Sequence, residues 1–139
     1  MKILLDTNVL VDIALERQPF LENSLKVLTL VYQQRLEGYI SASTISDIYY
    51  IVRKEKGKVL TLEFINHITA FCRIATVDEA AIAMALGIDF RDFEDAIQYC
   101  VASLNNLEAI VTRNPKDFDN IPLRVLTPSQ LIQTLSETE

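Results

Sequence analysis

Met1-Lys2-Ile3-Leu4-Leu5-Asp6-Thr7-Asn8-Val9-Leu10 opens the chain and decides how the rest is read. A short apolar run delivers an acidic residue at its end, and the polar residues after it can start a helix. This is the grammar of a strand feeding a helix. In an open parallel sheet, ligands bind beyond the carboxyl ends of the strands, so Asp6 stands where a site would be built. An Asp at that point also caps a helix. The two readings part only if other strand ends bring carboxylates to the same edge.

Working outward, residues 7 to 16 carry Val9, Leu10, Ile13 and Ala14 at helical spacing, and Pro19 ends that segment. A longer helix begins at Glu22 or Asn23 with Leu25, Leu28, Val31, Tyr32 and Leu36 inward, and Gly38 is expected to close it as a left-handed cap. Tyr39-Ile40-Ser41 reads as a second strand. Ser41 to Thr44 then open a third helix, which carries Asp47 early and runs to the basic stretch ending in Gly57-Lys58. Leu62, Ile65, Ile68 and Phe71 or Cys72 mark a further helix, Ile74–Val77 a third strand, and Asp78 the cap of an alanine-rich helix ending at Gly87. Strands are expected again at Ala109–Thr112 and Leu123–Leu126, with Thr127-Pro128 starting the last helix. Strands alternating with helices predict an α/β fold, a mainly parallel sheet with helices on both faces. No repeat or linker divides the chain, so residues 1–139 are expected to form one domain.

Half of the residues are hydrophobic, which argues against disorder. Apolar stretches are broken by charge well short of a bilayer span, and the start lacks a signal-like core, so a cytoplasmic protein with no membrane partner is expected. Cys72 and Cys100 lack metal or redox spacing and read as buried thiols in a reducing compartment. His67 has no second ligand nearby and reads as a surface or packing residue. A net charge of −6 argues against gripping nucleic acid by bulk electrostatics, but carboxylates that hold divalent cations contribute negative charge that bound metal neutralises. Four of the thirteen basic residues fall within Arg53–Lys58, as expected of a solvated helix end.

The acidic residues carry the chemistry. Asp89-Phe90-Arg91-Asp92-Phe93-Glu94-Asp95 runs straight into a helix expected to bury Phe93, Ile97, Cys100, Val101 and Leu104. Asp92 and Asp95 share a face of that helix, whereas Glu94 is expected to point elsewhere. Four acids in seven residues exceed what a cap needs. With Asp6 after the first strand, Asp47 after the second and Asn114 with Asp117 after the fourth, polar oxygen donors are expected to converge from four places. Oxygen donors without Cys or paired His suit Mg²⁺ or Mn²⁺. Those ions suit phosphodiester hydrolysis.

At these residues the chain resembles the PIN-domain nucleases, a family that includes the VapC-type toxins of bacterial toxin–antitoxin pairs. The matching pieces are Leu5-Asp6-Thr7-Asn8-Val9-Leu10, Ser43-Thr44-Ile45-Ser46-Asp47, Asp95-Ala96-Ile97, and Val111-Thr112-Arg113-Asn114 with Asp117-Phe118. The resemblance implies a three-layer α/β/α fold with a five-stranded parallel sheet, and cleavage of RNA with Mg²⁺ or Mn²⁺. It also implies an antitoxin partner and a homodimer, for which the apolar helices at 22–37 and 60–72 offer surface. Asp6 and Asp95 match the family's first and third acidic positions. Asp47 stands at the second, where the family usually has Glu, and either Asn114 or Asp117 fills the fourth. Asp6, Asp47 and Asp95 are therefore the expected catalytic residues. Asp6 and Asp95 would hold metal, supported by Asp47, Asp92 and Asn114 or Asp117, while Thr7, Asn8 and Thr112 orient carboxylates and Arg113 holds substrate.

Two other readings compete. A member of the same fold that has lost catalysis would act as a binding module, which Asp47 and Asn114 modestly favour. A phosphoacceptor signalling domain would use Asp78 after the third strand, although it would want an acidic pair after the first strand and a Lys after the fifth.

Overall fold

The computed structural model describes residues 1–138; the last residue of the expected domain, Glu139, lies outside the described residues. In chain order the elements are β1 (Lys2–Leu5), α1 (Thr7–Ala14), α2 (Leu21–Tyr32), β2 (Glu37–Ser41), α3 (Ala42–Thr69), β3 (Arg73–Ala75), α4 (Glu79–Leu86), α5 (Phe93–Leu104), β4 (Ala109–Val111), a 3-10 turn (Pro115–Phe118), β5 (Arg124–Leu126) and α6 (Pro128–Thr138). All five strands are parallel, in the order β3-β2-β1-β4-β5. The chain therefore winds outward from β1 in one direction through β2 and β3, then returns to start again at β4. That reversal leaves a crevice between the carboxyl ends of β1 and β4, where α/β sheets bind ligands.

The sheet is buried on both sides because its strands alternate. Ile3 and Leu5 of β1, with Ala109 and Val111 of β4, join a core completed by Val9, Leu10, Val27, Ile48, Val52 and Leu131 from α1, α2, α3 and α6. Leu4 and Ile110 point the other way, against Ala102 of α5 and Phe118. Each of these large side chains is worth ~1.5–3 kcal/mol when fully buried, so the pattern fixes which face of β1 meets which layer. Among the described residues no helix is long and apolar enough to cross a membrane.

Of the two glycines expected to punctuate helices, one does different work. Gly38 lies inside β2, and α2 ends earlier, at Tyr32, with Gln34 rather than Gly38 taking the left-handed conformation. A Cβ at Gly38 would sit 2.8 Å from Val31 Cγ1, so the residue is small because α2 lies directly on the strand. Gly57, by contrast, has φ +80° and breaks α3 into the two helical segments expected from the sequence. Cys72, after α3, and Cys100, within α5, are both buried and unpaired as expected.

Candidate functional site

Asp6 follows β1 directly, and its two readings turn out to be compatible. Oδ1 accepts from the Thr7 amide at 2.7 Å, capping α1, and from Gln98 Nε2 at 2.6 Å. Oδ2 accepts from Thr112 Oγ1 at 2.7 Å. Three donors thus fix the orientation of a carboxylate that is only 5 % exposed. Thr112 follows β4 and ties the crevice together, because its hydroxyl also meets Asn8 Nδ2 at 3.4 Å and the Asn114 amide at 3.1 Å. Asn8 Oδ1 accepts from the Arg113 amide at 3.1 Å, and the Thr7 and Thr44 hydroxyls lie 3.0 Å apart, linking α1 to α3.

Above this edge opens a cavity of about 520 Å³ whose acidic lining is Asp6, Asp47, Asp92, Glu94, Asp95 and Asp117. Four segments supply them: the end of β1, the first half of α3, the start of α5 and the turn after β4. Asp92 also serves the ordinary structural purpose, its Oδ1 accepting from the Asp95 amide at 3.1 Å to cap α5.

Crowded carboxylates raise one another. Burial, then the charges of Asp6, Asp92 and Asp117, push Asp95 up to about 7. A hydrogen bond with the Asp47 side chain is the largest cause raising Glu94 to about 8, followed by burial and the charges of Asp47, Asp92 and Asp95. Among the described residues, no group of three acidic or imidazole side chains is drawn tightly enough together to form a metal centre. The donor set itself is all oxygen and strained by its own charge, which suits a hard divalent cation.

Several side chains depart from expectation. Glu94 does not point away but lines the cavity and meets Asp47, because the first turn of α5 faces α3 across it. Of the two residues considered for the fourth position, Asp117 lines the cavity and Asn114 does not. Arg113 is likewise absent from that lining. Its guanidinium lies 3.4 Å from Asp12 Oδ1 and 4.4 Å from the centre of the Phe20 ring. The basic run lies outside the cavity too, whose basic lining residue is Arg17. Phe93 and Leu104, expected in the core, are about half exposed, since α5 buries Ala96, Gln98, Cys100, Val101 and Ala102 instead. The phosphoacceptor reading loses its footing: β3 is an edge strand, and Asp78 Oδ1 caps α4 at 3.0 Å from the Ala81 amide, away from the acidic cavity.

Sequence reading missed three contributors. Gln98 follows Asp95 by three positions, a spacing that puts both on one helix face, yet its setting in an apolar run hid it. Asp12, to which the helical spacing of α1 assigned no role, is fully buried. Burial pushes its carboxyl up, and Arg113 and Arg17 pull it back. Arg17, in the link after α1, carried no sequence signal of its own.

Comparison with known proteins adds a separate line of observation. A model of the PIN domain matches residues 2–116. Over 137 residues the chain is 29% identical to a ribonuclease, VapC1 of Aquifex aeolicus (strain VF5), covering 95% of this chain and 94% of that one. A toxin–antitoxin complex from Klebsiella pneumoniae has a chain of similar fold, with a TM-score of 0.69 at 24% identity over 91% of this chain and 97% of that one. DNA-bound VapBC from Salmonella typhimurium gives a TM-score of 0.70 at 20% identity over 92% and 98% of the two chains.

Proposed function

The chain belongs to the PIN-domain family, and from that premise we propose that it is a metal-dependent endoribonuclease acting as the toxin of a toxin–antitoxin pair. One observation carries the reading: six carboxylates from four segments line a single cavity at the sheet's switch point. A structural network would pair such charges with Lys or Arg, whereas here they face one another.

In this reading Asp6, Asp95 and Asp117 hold Mg²⁺ or Mn²⁺, with Asp92 and the Asp47–Glu94 pair beside them. The bound ion supplies an acidified water and stabilises negative charge on the phosphoryl oxygens. The remaining work belongs to the protein. Thr7, Gln98 and Thr112 keep Asp6 in one orientation, so its position does not depend on the cation that arrives. Asn8 holds Thr112 in turn. Glu94, raised to about 8 chiefly by its hydrogen bond with Asp47, can take or return a proton near neutral pH at its carboxyl oxygens. Asp47 and Glu94 together fill the position where the family usually has one longer Glu. Their pairing supports catalysis over the degenerate binding module.

The likeness to a VapC ribonuclease and to a chain of a toxin–antitoxin complex supports an antitoxin partner, and a cytoplasmic setting goes with that reading. Exposed Leu25 and Tyr32 on α2, with Val59, Leu60 and Leu62 on α3, are apolar surface available to that partner or to a second copy of the chain.

Cleavage of mixed-sequence single-stranded RNA in Mn²⁺, Mg²⁺ and EDTA tests the proposal, with Asp6→Asn and Asp95→Asn beside the parent. Metal-dependent cleavage lost in both variants is the expected result. A folded parent that neither cleaves nor binds Mn²⁺ would return the chain to the binding-module reading.

A further inference from the structure

Asp12 is fully buried, and among the described residues neither of its carboxylate oxygens finds a hydrogen-bond donor. Its partners are two guanidinium groups near one oxygen: Arg113 at 3.4 Å and Arg17 at 3.8 Å. A buried carboxylate is costly, and one flanked by two arginines leaves a cluster with surplus positive charge. Geometry decides where that surplus lies. The Arg113 side chain is 27% exposed, closer to Asp12 and stacked on Phe20. Arg17 is 41% exposed, farther from Asp12, and lines the acidic cavity. At 3.8 Å its contact with Asp12 is an ion pair rather than a hydrogen bond, so its fork of N–H donors stays available.

The backbone repeats the restraint. The Arg17 amide donates to the carbonyl of Asp12 itself at 2.9 Å, and the Arg17 carbonyl accepts from the amides of Phe20 at 3.1 Å and Leu21 at 2.8 Å. Arg17 is thus tied at both main-chain groups and at the side chain, on the rim of a cavity whose other charged lining residues are acids.

We propose that Arg17 binds a backbone phosphate of the nucleic acid entering this cavity, and that Asp12 is its positioning residue. The inference rests on the nuclease reading above and names a part of the substrate grip. A guanidinium matches phosphate geometry bidentately and keeps its charge at any working pH. An arginine without an anchor would fold onto the neighbouring carboxylates; Asp12, with Arg113 filling its other side, supplies an anchor that lies outside the cavity lining.

The test is binding of a short fluorescent single-stranded RNA, in Ca²⁺ to neutralise the carboxylates, across a range of salt concentrations. Arg17→Gln should weaken binding about tenfold and lower the log–log salt slope by about 0.7, the loss of one phosphate contact on a single strand. Arg17→Lys should keep the slope while losing part of the affinity. Asp12→Asn should weaken binding in the parent but add nothing in the Arg17→Gln background, since it acts through Arg17. Lys26→Gln, which removes an equal charge from the surface of α2, should leave binding unchanged. Parent-like affinity and slope in Arg17→Gln would overturn this inference alone, as would additive effects of Asp12→Asn and Arg17→Gln. A folded parent that binds no RNA would overturn the nuclease reading and this inference with it. Because Asp12→Asn alters the core, thermal melts accompany each variant, and the exposed Arg17→Lys and Arg17→Gln changes decide the question if Asp12→Asn does not fold.

Discussion

Asp47 of α3 and Glu94 of α5 meet carboxyl to carboxyl across the acidic cavity, and their hydrogen bond is the main reason Glu94 is raised to about 8. If the pair fills one functional position, Asp47→Ala and Glu94→Ala should each lower RNA cleavage by a similar factor, about ten- to a hundredfold. Asp47→Glu should then partly restore activity in the Glu94→Ala background, by supplying the missing reach from the other side. Steady-state kinetics on the four proteins check this. A Glu94→Ala variant with full activity would make Asp47 sufficient alone.

The raised acids set a pH dependence of stability. Asp95 and Glu94 hold protons in the folded state that the unfolded chain, with values near 3.8 and 4.5, has already released. Stabilisation from this source is therefore full below about pH 4 and is lost as pH rises through about 7 and 8. In EDTA the melting temperature should fall between pH 5 and pH 8.5, the fall should shrink in Asp95→Asn, and Mn²⁺ should offset it at the alkaline end. Thermal melts across that range suffice. A flat profile in EDTA would mean the carboxylates do not repel as the structure implies.

Gln98 donates to Asp6 from within the core, and among the described residues its own Oε1 has no hydrogen-bond partner. Gln98→Leu keeps the volume, removes the orphaned oxygen and deletes the donor. Its stability should change by less than about 1.5 kcal/mol, while kcat falls about ten- to a hundredfold and the KM for RNA stays put. Denaturant titration and kinetics separate the two effects. A variant with unaltered kcat would reduce Gln98 to filler.

Packing at Gly38 gives a prediction independent of function. Gly38→Ala places a methyl 2.8 Å and 2.9 Å from the two γ carbons of buried Val31, and should cost about 1–3 kcal/mol in urea denaturation. In a Val31→Ala background the same change should cost much less, a coupling that a double-mutant cycle reads directly.

What could be read from the chain alone follows the range of the interactions involved. Asp6 was legible because strand, acid and helix start are consecutive, and Asp78 because a cap is a local device. The order of elements gave the layered sheet, since alternating strands and helices leave few ways to cover both faces. Glu94 was misplaced because helix spacing compares a residue with its own helix, whereas its partner Asp47 comes from α3. The setting of Arg113 was illegible for the same reason: Asp12 and Phe20, which hold it, lie far away in sequence. Leu25 and Tyr32 look inward by periodicity yet are exposed, because α2 turns Ser24, Val27, Leu28 and Val31 to the core instead.

The two cysteines have a use beyond packing. Cys72 is 5 % exposed with its thiol pushed by burial to about 12, and Cys100 is fully buried with its thiol raised as well. Neither reacts with an alkylating reagent until the chain around it opens. One reports the corner where α3 hands over to β3, the other the helix whose start brings Asp92, Glu94 and Asp95 to the cavity. Since the chain holds only these two, the rates at which they become labelled measure how often each region breathes. The protein thus carries its own pair of clocks for local opening, readable with the native sequence by the mass shift of the peptide that holds each cysteine.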